Sequence, residues 1–124
     1  MKDNCHINRW ETLKKQLQNL TPESFLMMKK QHPDAVVLDC RVPGELATGY
    51  IEGAVNLDYF GAQFYEELEN LDTEATYLVY CRSGRRSLRT CTLMKNSGFR
   101  HIYNLEGGLK LWQETLGKKG LVFP

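Results

Sequence analysis

Two short, continuously apolar runs constrain the fold of this chain more than any other feature. The first is Ala35-Val-Val-Leu-Asp39, and the second is Thr76-Tyr-Leu-Val-Tyr80. Neither shows the alternation of polar and apolar residues that marks a strand with one face in water. Such runs are typical of parallel strands that are covered on both faces. Helical spacing of apolar residues occurs around both runs, so we expect an α/β fold with a central parallel sheet flanked by helices.

The remaining elements are predicted from periodicity, caps and turn residues. Apolar residues at helical spacing predict an amphipathic helix over residues 8–20. Thr21 and Pro22 are typical of the N-cap and first position of a second helix, which is expected to end near Gln31. We further expect one helical turn over 45–48, a loop over 104–108, strands over 54–57 and 101–103, and helices over 60–71, 87–97 and 109–116.

Length, charge and cysteine content limit the possible classes of protein. The 124 residues have room for one domain, predicted over 21–117 with a helical extension over 1–20 and an irregular tail over 118–124. A net charge of +1 argues against a general nucleic-acid binder. No apolar run approaches the roughly 20 residues that span a bilayer, so no membrane partner is expected.

The N-terminus lacks the apolar stretch of a signal peptide, so we expect a cytoplasmic protein with free thiols. No pair of cysteines has metal-ligand spacing and the three histidines are scattered, so no metal site is expected. The four cysteines are Cys5, Cys40, Cys81 and Cys91. We expect Cys40 and Cys91 to be buried.

Cys81 is the residue around which chemistry is expected. It follows the second apolar run and precedes a Gly-containing, Arg-rich turn and then a helical pattern. A strand that delivers a thiol into such a turn surrounds it with inward-pointing amides and a helix N-terminus, which favours a sulfur anion. Most strand-end cysteines are simply small core residues. Clustered guanidinium groups are not needed for a core, however, so Arg82, Arg85 and Arg86 favour a functional site.

The three arginines of this turn have two interpretations each. Arg82 and Arg85 are either clamps for an oxyanion or solvated surface charges. The guanidinium of Arg86 either binds an anion or ties the loop to a carboxylate. A second group, Asp39, Arg41 and Glu45, is expected to form a structural brace, because a carboxylate that ends a buried strand needs a partner.

With these residues identified, the chain resembles a single-domain rhodanese, a sulfurtransferase. One motif lies in Leu38-Asp-Cys-Arg-Val-Pro-Gly-Glu-Leu-Ala-Thr-Gly-Tyr-Ile-Glu-Gly-Ala54 and the other in Cys81-Arg-Ser-Gly-Arg-Arg-Ser87. Gly98-Phe and Asn104-Leu-Glu-Gly-Gly-(x)3-Trp112 extend the second motif, and the likeness covers roughly residues 22–115. Tyr50 stands where the family usually has His, and Glu52 where Pro is common. We expect these departures to alter packing or the pocket rim.

The resemblance implies a three-layer rhodanese-like domain and a sulfur transfer in two steps. Cys81 would take the outer sulfur of a donor such as thiosulfate as a persulfide and pass it to a thiophilic acceptor. The implied partners are a small anionic donor and, as acceptor, cyanide in vitro and a thiol or protein cysteine in vivo. Substrate binding is implied for the loop residues Arg82, Ser83, Gly84, Arg85 and Arg86. No metal or organic cofactor is implied.

Two alternatives stay open at this point. Relatives of the same fold that hydrolyse phosphoesters carry a loop one residue longer between cysteine and arginine, and Cys81-(x)4-Arg86 is the shorter version. A sulfur-carrier or regulatory binding module is the other alternative, although regulatory domains of this kind typically lack the cysteine.

Overall fold

A five-stranded parallel sheet forms the centre of the computed structural model, which describes residues 17–124. Its strand order is β1-β6-β5-β2-β4, and β3 and β7 form a separate antiparallel pair. The strands are β1 (Gln18–Leu20), β2 (Val36–Asp39), β3 (Tyr50–Ile51), β4 (Val55–Asn56), β5 (Thr76–Tyr80), β6 (His101–Leu105) and β7 (Leu121–Val122). The helices are α1 (Pro22–Gln31), α2 (Phe64–Glu69), α3 (Arg85–Asn96) and α4 (Gly108–Leu116), with a 3₁₀ helix at Pro43–Thr48.

Helices cover both faces of the sheet, as expected for a three-layer α/β domain. On one face, Phe25 of α1 and Trp112 of α4 pack against Leu78 and Tyr80 of β5. On the other face, α2 and α3 cover the alternate side chains of the same strand, including Val79. The two predicted apolar strands are thereby confirmed as buried neighbours, because Val36 pairs with Tyr77 and Asp39 with Tyr80.

The helix boundaries follow local capping chemistry. Thr21 is the N-cap of α1, and its hydroxyl accepts a hydrogen bond from the Ser24 amide at 3.2 Å, which confirms the predicted start. Helix α3 begins at Arg85, two residues before the predicted start. The preceding Gly84 has a φ of 101°, a conformation that glycine adopts without the steric cost of a Cβ.

Helix α2 is shorter than the predicted span of residues 60–71. The carboxylate of Asp58 accepts a hydrogen bond from the Phe60 amide, and the Asp58 carbonyl accepts one from Gly61. These bonds form a turn that competes with helix, as Asp side chains commonly do. The helix therefore starts at Phe64.

Both ends of the described chain correct the sequence-based prediction. Residues 18–20, predicted as the end of a helix, form β1, which pairs with β6 and gains backbone hydrogen bonds there; residues 8–16 of that predicted helix lie outside the described range. The tail, predicted as irregular, contains β7, which pairs with β3 at Tyr50 and Ile51. Both strands lie outside the predicted domain limits of residues 21 and 117, yet both pair with strands inside those limits.

Strand β6 is longer than the predicted strand over 101–103. It extends to Leu105, into the predicted loop.

None of the helices between residues 17 and 124 is long and apolar enough to cross a bilayer.

Candidate active site

Cys81 lies directly beyond β5, at the carboxyl edge of the sheet. Ligands of open α/β sheets bind at this edge. The adjacent strand β2 ends at Asp39 in register with Tyr80. The sheet thereby brings both sequence motifs to one place.

Two backbone amides point at the sulfur of Cys81. Its Sγ accepts hydrogen bonds from the Gly84 amide at 3.1 Å and the Ser87 amide at 3.3 Å. The residue is fully buried, with 0% relative exposure. Preorganised amides of this kind stabilise negative charge on the atom that they surround. The Ser87 amide lies one residue beyond the loop segment 82–86 that the sequence had implicated.

The N-terminus of α4 holds the backbone of the same loop. The Leu109 amide donates to the Cys81 carbonyl and the Lys110 amide to the Arg82 carbonyl, both at 2.9 Å. Gly108 makes this close approach possible, since a Cβ there would lie 2.4 Å from the Arg82 carbonyl oxygen. The end of the predicted loop over 104–108 thus also supports the cysteine loop.

Arg86 is paired with Glu45. Its two terminal nitrogens lie 2.8 Å and 3.2 Å from the two carboxylate oxygens. The hydrogen bonds from Arg86 are the main cause that lowers the pKa of Glu45. The guanidinium also stands over the ring of Phe60 at 6.0 Å. Of the two roles considered for Arg86, this geometry matches the tie to a carboxylate.

Asp39 and Arg41 form a buried brace under the loop. The guanidinium donates to both oxygens of Asp39 and, at 2.8 Å, to the Gly49 carbonyl. The hydroxyl of Tyr80 donates to Asp39 at 2.6 Å and accepts from the Ile51 amide. Burial, followed by the nearby charge of Asp39, raises the pKa of Tyr80, so this hydroxyl keeps its proton. Glu45, predicted as a partner within this brace, instead contacts Arg86.

The exposed loop side chains line two cavities on different sides of the loop. Arg82 lines a cavity of about 320 Å³ between the 3₁₀ helix and α4. Ser83, Gly84 and Arg85 line a second cavity of about 270 Å³, next to α3 and Gly107. Four of the five predicted substrate-binding residues thus line one or other of these cavities, whereas Arg86 lines neither.

The other two described cysteines are buried, as predicted. Burial is the main cause that raises the pKa of Cys40 to about 12 and the pKa of Cys91 well above its ordinary value. Both side chains are therefore protonated thiols at neutral pH.

Sequence reasoning missed two polar supports of the site. Asn56 of β4 donates from Nδ2 to the carbonyls of Asp39 and Arg41, at 2.9 Å and 2.8 Å. The Tyr80 hydroxyl joins the brace from within an apolar run. A tyrosine at the end of a buried strand was a signal for the second, because its hydroxyl needs a hydrogen-bond partner. Nothing in the local sequence marked Asn56.

Comparisons with known proteins find similar sequences and a similar fold. Residues 21–115 match the family described as Rhodanese-like domain. Over 100 residues the chain is 32% identical to a thiosulfate sulfurtransferase GlpE of Pseudomonas entomophila, covering 81% of this chain and 88% of that protein. A protein named sulfurtransferase from Allochromatium vinosum is 27% identical over 77% of this chain and 88% of its own.

Solved structures show the same fold. A rhodanese-related protein of Thermoplasma volcanium superposes with a TM-score of 0.72 at 25% identity, covering 86% of this chain and 99% of that one. A rhodanese-like domain protein of Staphylococcus aureus gives a TM-score of 0.70 at 24% identity, covering 87% and 99%.

Proposed function

The chain belongs to the rhodanese-like domain family, and from this premise we propose that it transfers sulfur from thiosulfate to a thiol through a persulfide on Cys81. One observation carries the proposal: Sγ of Cys81 accepts hydrogen bonds from the Gly84 and Ser87 amides at a strand-to-helix turn. These amides stabilise the negative charge of the Cys81 thiolate, and they remain close to the charge when it lies on the outer sulfur of the persulfide.

In the first step the Cys81 thiolate attacks the outer sulfur of thiosulfate. A bond forms between Sγ and this sulfur, and the bond between the two donor sulfurs breaks. Sulfite leaves with the bonding electron pair, and Cys81 is left as a persulfide anion. No further oxidant or reductant is consumed.

In the second step an acceptor thiolate attacks the terminal sulfur of the persulfide. The Sγ–S bond breaks, and Sγ recovers its electron pair as the thiolate that began the cycle. The acceptor leaves as a persulfide. Two half-reactions that share one covalent intermediate produce ping-pong kinetics.

The other loop residues support this chemistry in different ways. The exposed side chains of Arg82 and Arg85 attract the doubly charged donor. Arg86, bound to Glu45, maintains the loop shape that aims the amides at sulfur. Because Cys81 is fully buried at rest, neighbouring side chains have to move aside before the donor reaches Sγ.

Steady-state kinetics of the wild type and two cysteine variants test the proposal. With thiosulfate and cyanide varied together, parallel double-reciprocal lines are expected for the wild type. Cys81→Ser should abolish transfer, and the matched variant Cys5→Ser should keep it. Intersecting lines, or turnover that survives in Cys81→Ser, would overturn the proposal.

A further inference from the structure

A cavity next to the sulfur loop has a cationic lining. Its volume is about 320 Å³, which is at the lower end of the range for small-molecule sites. Its walls come from the 3₁₀ helix, the cysteine loop (residues 81–86) and α4. The lining residues are Arg41, Glu45, Thr48, Arg82, Leu109, Lys110 and Gln113.

The positive charge of this cavity is not balanced by its own residues. Arg41 is neutralised by Asp39, and Glu45 is used by Arg86. Within residues 17–124, neither Arg82 nor Lys110 has an ion-pair partner. Two cations in one cavity therefore remain available for an anionic ligand.

Backbone contacts connect these two cations to the reactive sulfur. The Lys110 amide donates a hydrogen bond to the Arg82 carbonyl. This bond fixes the backbone positions that carry the two cationic side chains relative to each other. Leu109 donates to the carbonyl of Cys81, which places the cavity wall against the residue that carries the sulfur. A ligand held here lies beside the cysteine loop.

We propose that this cavity, called the acceptor groove below, binds the sulfur acceptor and selects small thiols that carry carboxylates. The inference rests on the proposed function, in which Arg82 and Arg85 attract the donor. Arg82 then serves both substrates in turn, whereas Lys110 serves the acceptor alone.

Arg82 and Lys110 bind the carboxylates, the side-chain amide of Gln113 donates a neutral hydrogen bond, and Leu109 forms an apolar wall. The Thr48 hydroxyl already donates to the Glu45 carbonyl at 2.6 Å. The acceptor's thiolate then attacks the terminal persulfide sulfur, and Sγ leaves with the electron pair.

The test measures discharge of preformed persulfide by two thiols in single turnovers. Mercaptosuccinate carries two carboxylates, and 2-mercaptoethanol carries none. The ratio of their second-order rate constants, compared between protein variants, cancels the intrinsic reactivity of each thiol. Lys110→Gln and Arg82→Gln should each lower the ratio about 3-fold to 5-fold, as exposed charge pairs do.

The matched control is Lys30→Gln, an exposed lysine in the last turn of α1, which should keep the wild-type ratio. The preference of the wild type for mercaptosuccinate over 2-mercaptoethanol should also fall as salt is raised, because exposed charges are screened. A wild-type ratio that neither substitution changes would overturn the acceptor groove, and a protein acceptor would then be the better candidate.

A binding measurement separates this inference from the proposed function. S-methylated mercaptosuccinate cannot accept sulfur, yet it should shift the backbone amide resonances of Leu109, Lys110 and Gln113. In Lys110→Gln the same shifts should need about 3-fold to 5-fold more ligand. If no persulfide forms on Cys81 but these shifts occur, the sulfurtransferase proposal fails and the anion site remains. If persulfide forms but the shifts are absent, the groove fails alone.

Discussion

At the scale of single residues, neighbouring arginines of the loop have different surroundings. Arg85 is exposed and lines the cavity beside α3. Arg86 is only partly exposed and holds both oxygens of Glu45. Under the proposed function, we therefore expect the charge of Arg85 to attract the donor and the charge of Arg86 to maintain the loop geometry.

This difference predicts separable kinetic effects of two substitutions. Arg85→Ala should raise KM for thiosulfate about 3-fold to 5-fold with little change in kcat, since an exposed charge acts on ground and transition states alike. Arg86→Ala should lower kcat and kcat/KM together by at least about 10-fold, because the amides lose their aim at sulfur. Steady-state kinetics at two salt concentrations measures both. Equal effects confined to KM would show that the division of roles is mistaken.

The Glu45 carboxylate makes the stability of the fold depend on pH. Hydrogen bonds from Arg86 lower its pKa in the folded state from an ordinary value of 4.5. The stabilisation that the ionised Glu45 carboxylate contributes to the fold is therefore fully present above pH 4.5 and is lost as the pH falls through the lowered pKa. The wild type should exceed Glu45→Gln by about 1 kcal/mol in free energy of unfolding at neutral pH.

Urea unfolding of both proteins at neutral pH and well below pH 4.5 measures this difference. The advantage of the wild type should shrink toward zero on the acid side. An advantage that stays constant over this range would exclude the ionised pair as its cause.

At the scale of secondary-structure elements, the N-terminus of α4 supports the site through hydrogen bonds to the backbone of the cysteine loop. Gly108 has a φ of 63°, and a Cβ there would meet the Arg82 carbonyl at 2.4 Å. Gly117 has the same φ of 63°, but nothing lies within 4 Å of its would-be Cβ. Alanine at Gly117 would add backbone strain alone, whereas alanine at Gly108 would add the same strain and a steric overlap.

Gly108→Ala should therefore cost more than Gly117→Ala. We expect about 1 kcal/mol for Gly117→Ala from the backbone alone and about 2 kcal/mol or more for Gly108→Ala, where overlap is added. Sulfur transfer should fall only in Gly108→Ala. Thermal unfolding and transfer rates measure both effects, and equal losses in the two variants would contradict the supporting role of α4.

The elements that sequence reasoning identified are those with strong local signals. Continuous apolar runs predicted β2 and β5, and the Thr21 cap predicted the start of α1. The strands β1, β3 and β7 have three, two and two residues. Strands this short form because they pair with neighbouring strands, so their own sequences carry little signal. Leu20, for example, fits the apolar face of a helix as well as a strand at the edge of a sheet.

At the scale of the whole molecule, the site is assembled from segments that are distant in sequence. Glu45 and Arg86 are 41 residues apart, as are Asp39 and Tyr80. The sequence identified the cysteine, its loop and the carboxylates nearby. It could not assign which carboxylate holds which arginine, because the strand order of the sheet decides that pairing.

The same assembly argues against phosphoester hydrolysis. Four residues separate Cys81 from Arg86, and the guanidinium that a phosphate would need is bound by Glu45. Hydrolysis of a small aryl phosphate should therefore be negligible, as followed by release of the phenol. Cys81→Ser is the control for contaminating phosphatase. Efficient release that depends on Cys81 would favour the phosphatase alternative.

Mass spectrometry of the intact protein shows directly whether Cys81 carries the transferred sulfur. After incubation with thiosulfate and removal of excess donor, the intact protein should gain the mass of one sulfur atom. The addition should map to the peptide that contains Cys81 and disappear on treatment with a thiol. An unchanged mass, or a sulfur located on Cys40 or Cys91, would contradict the account.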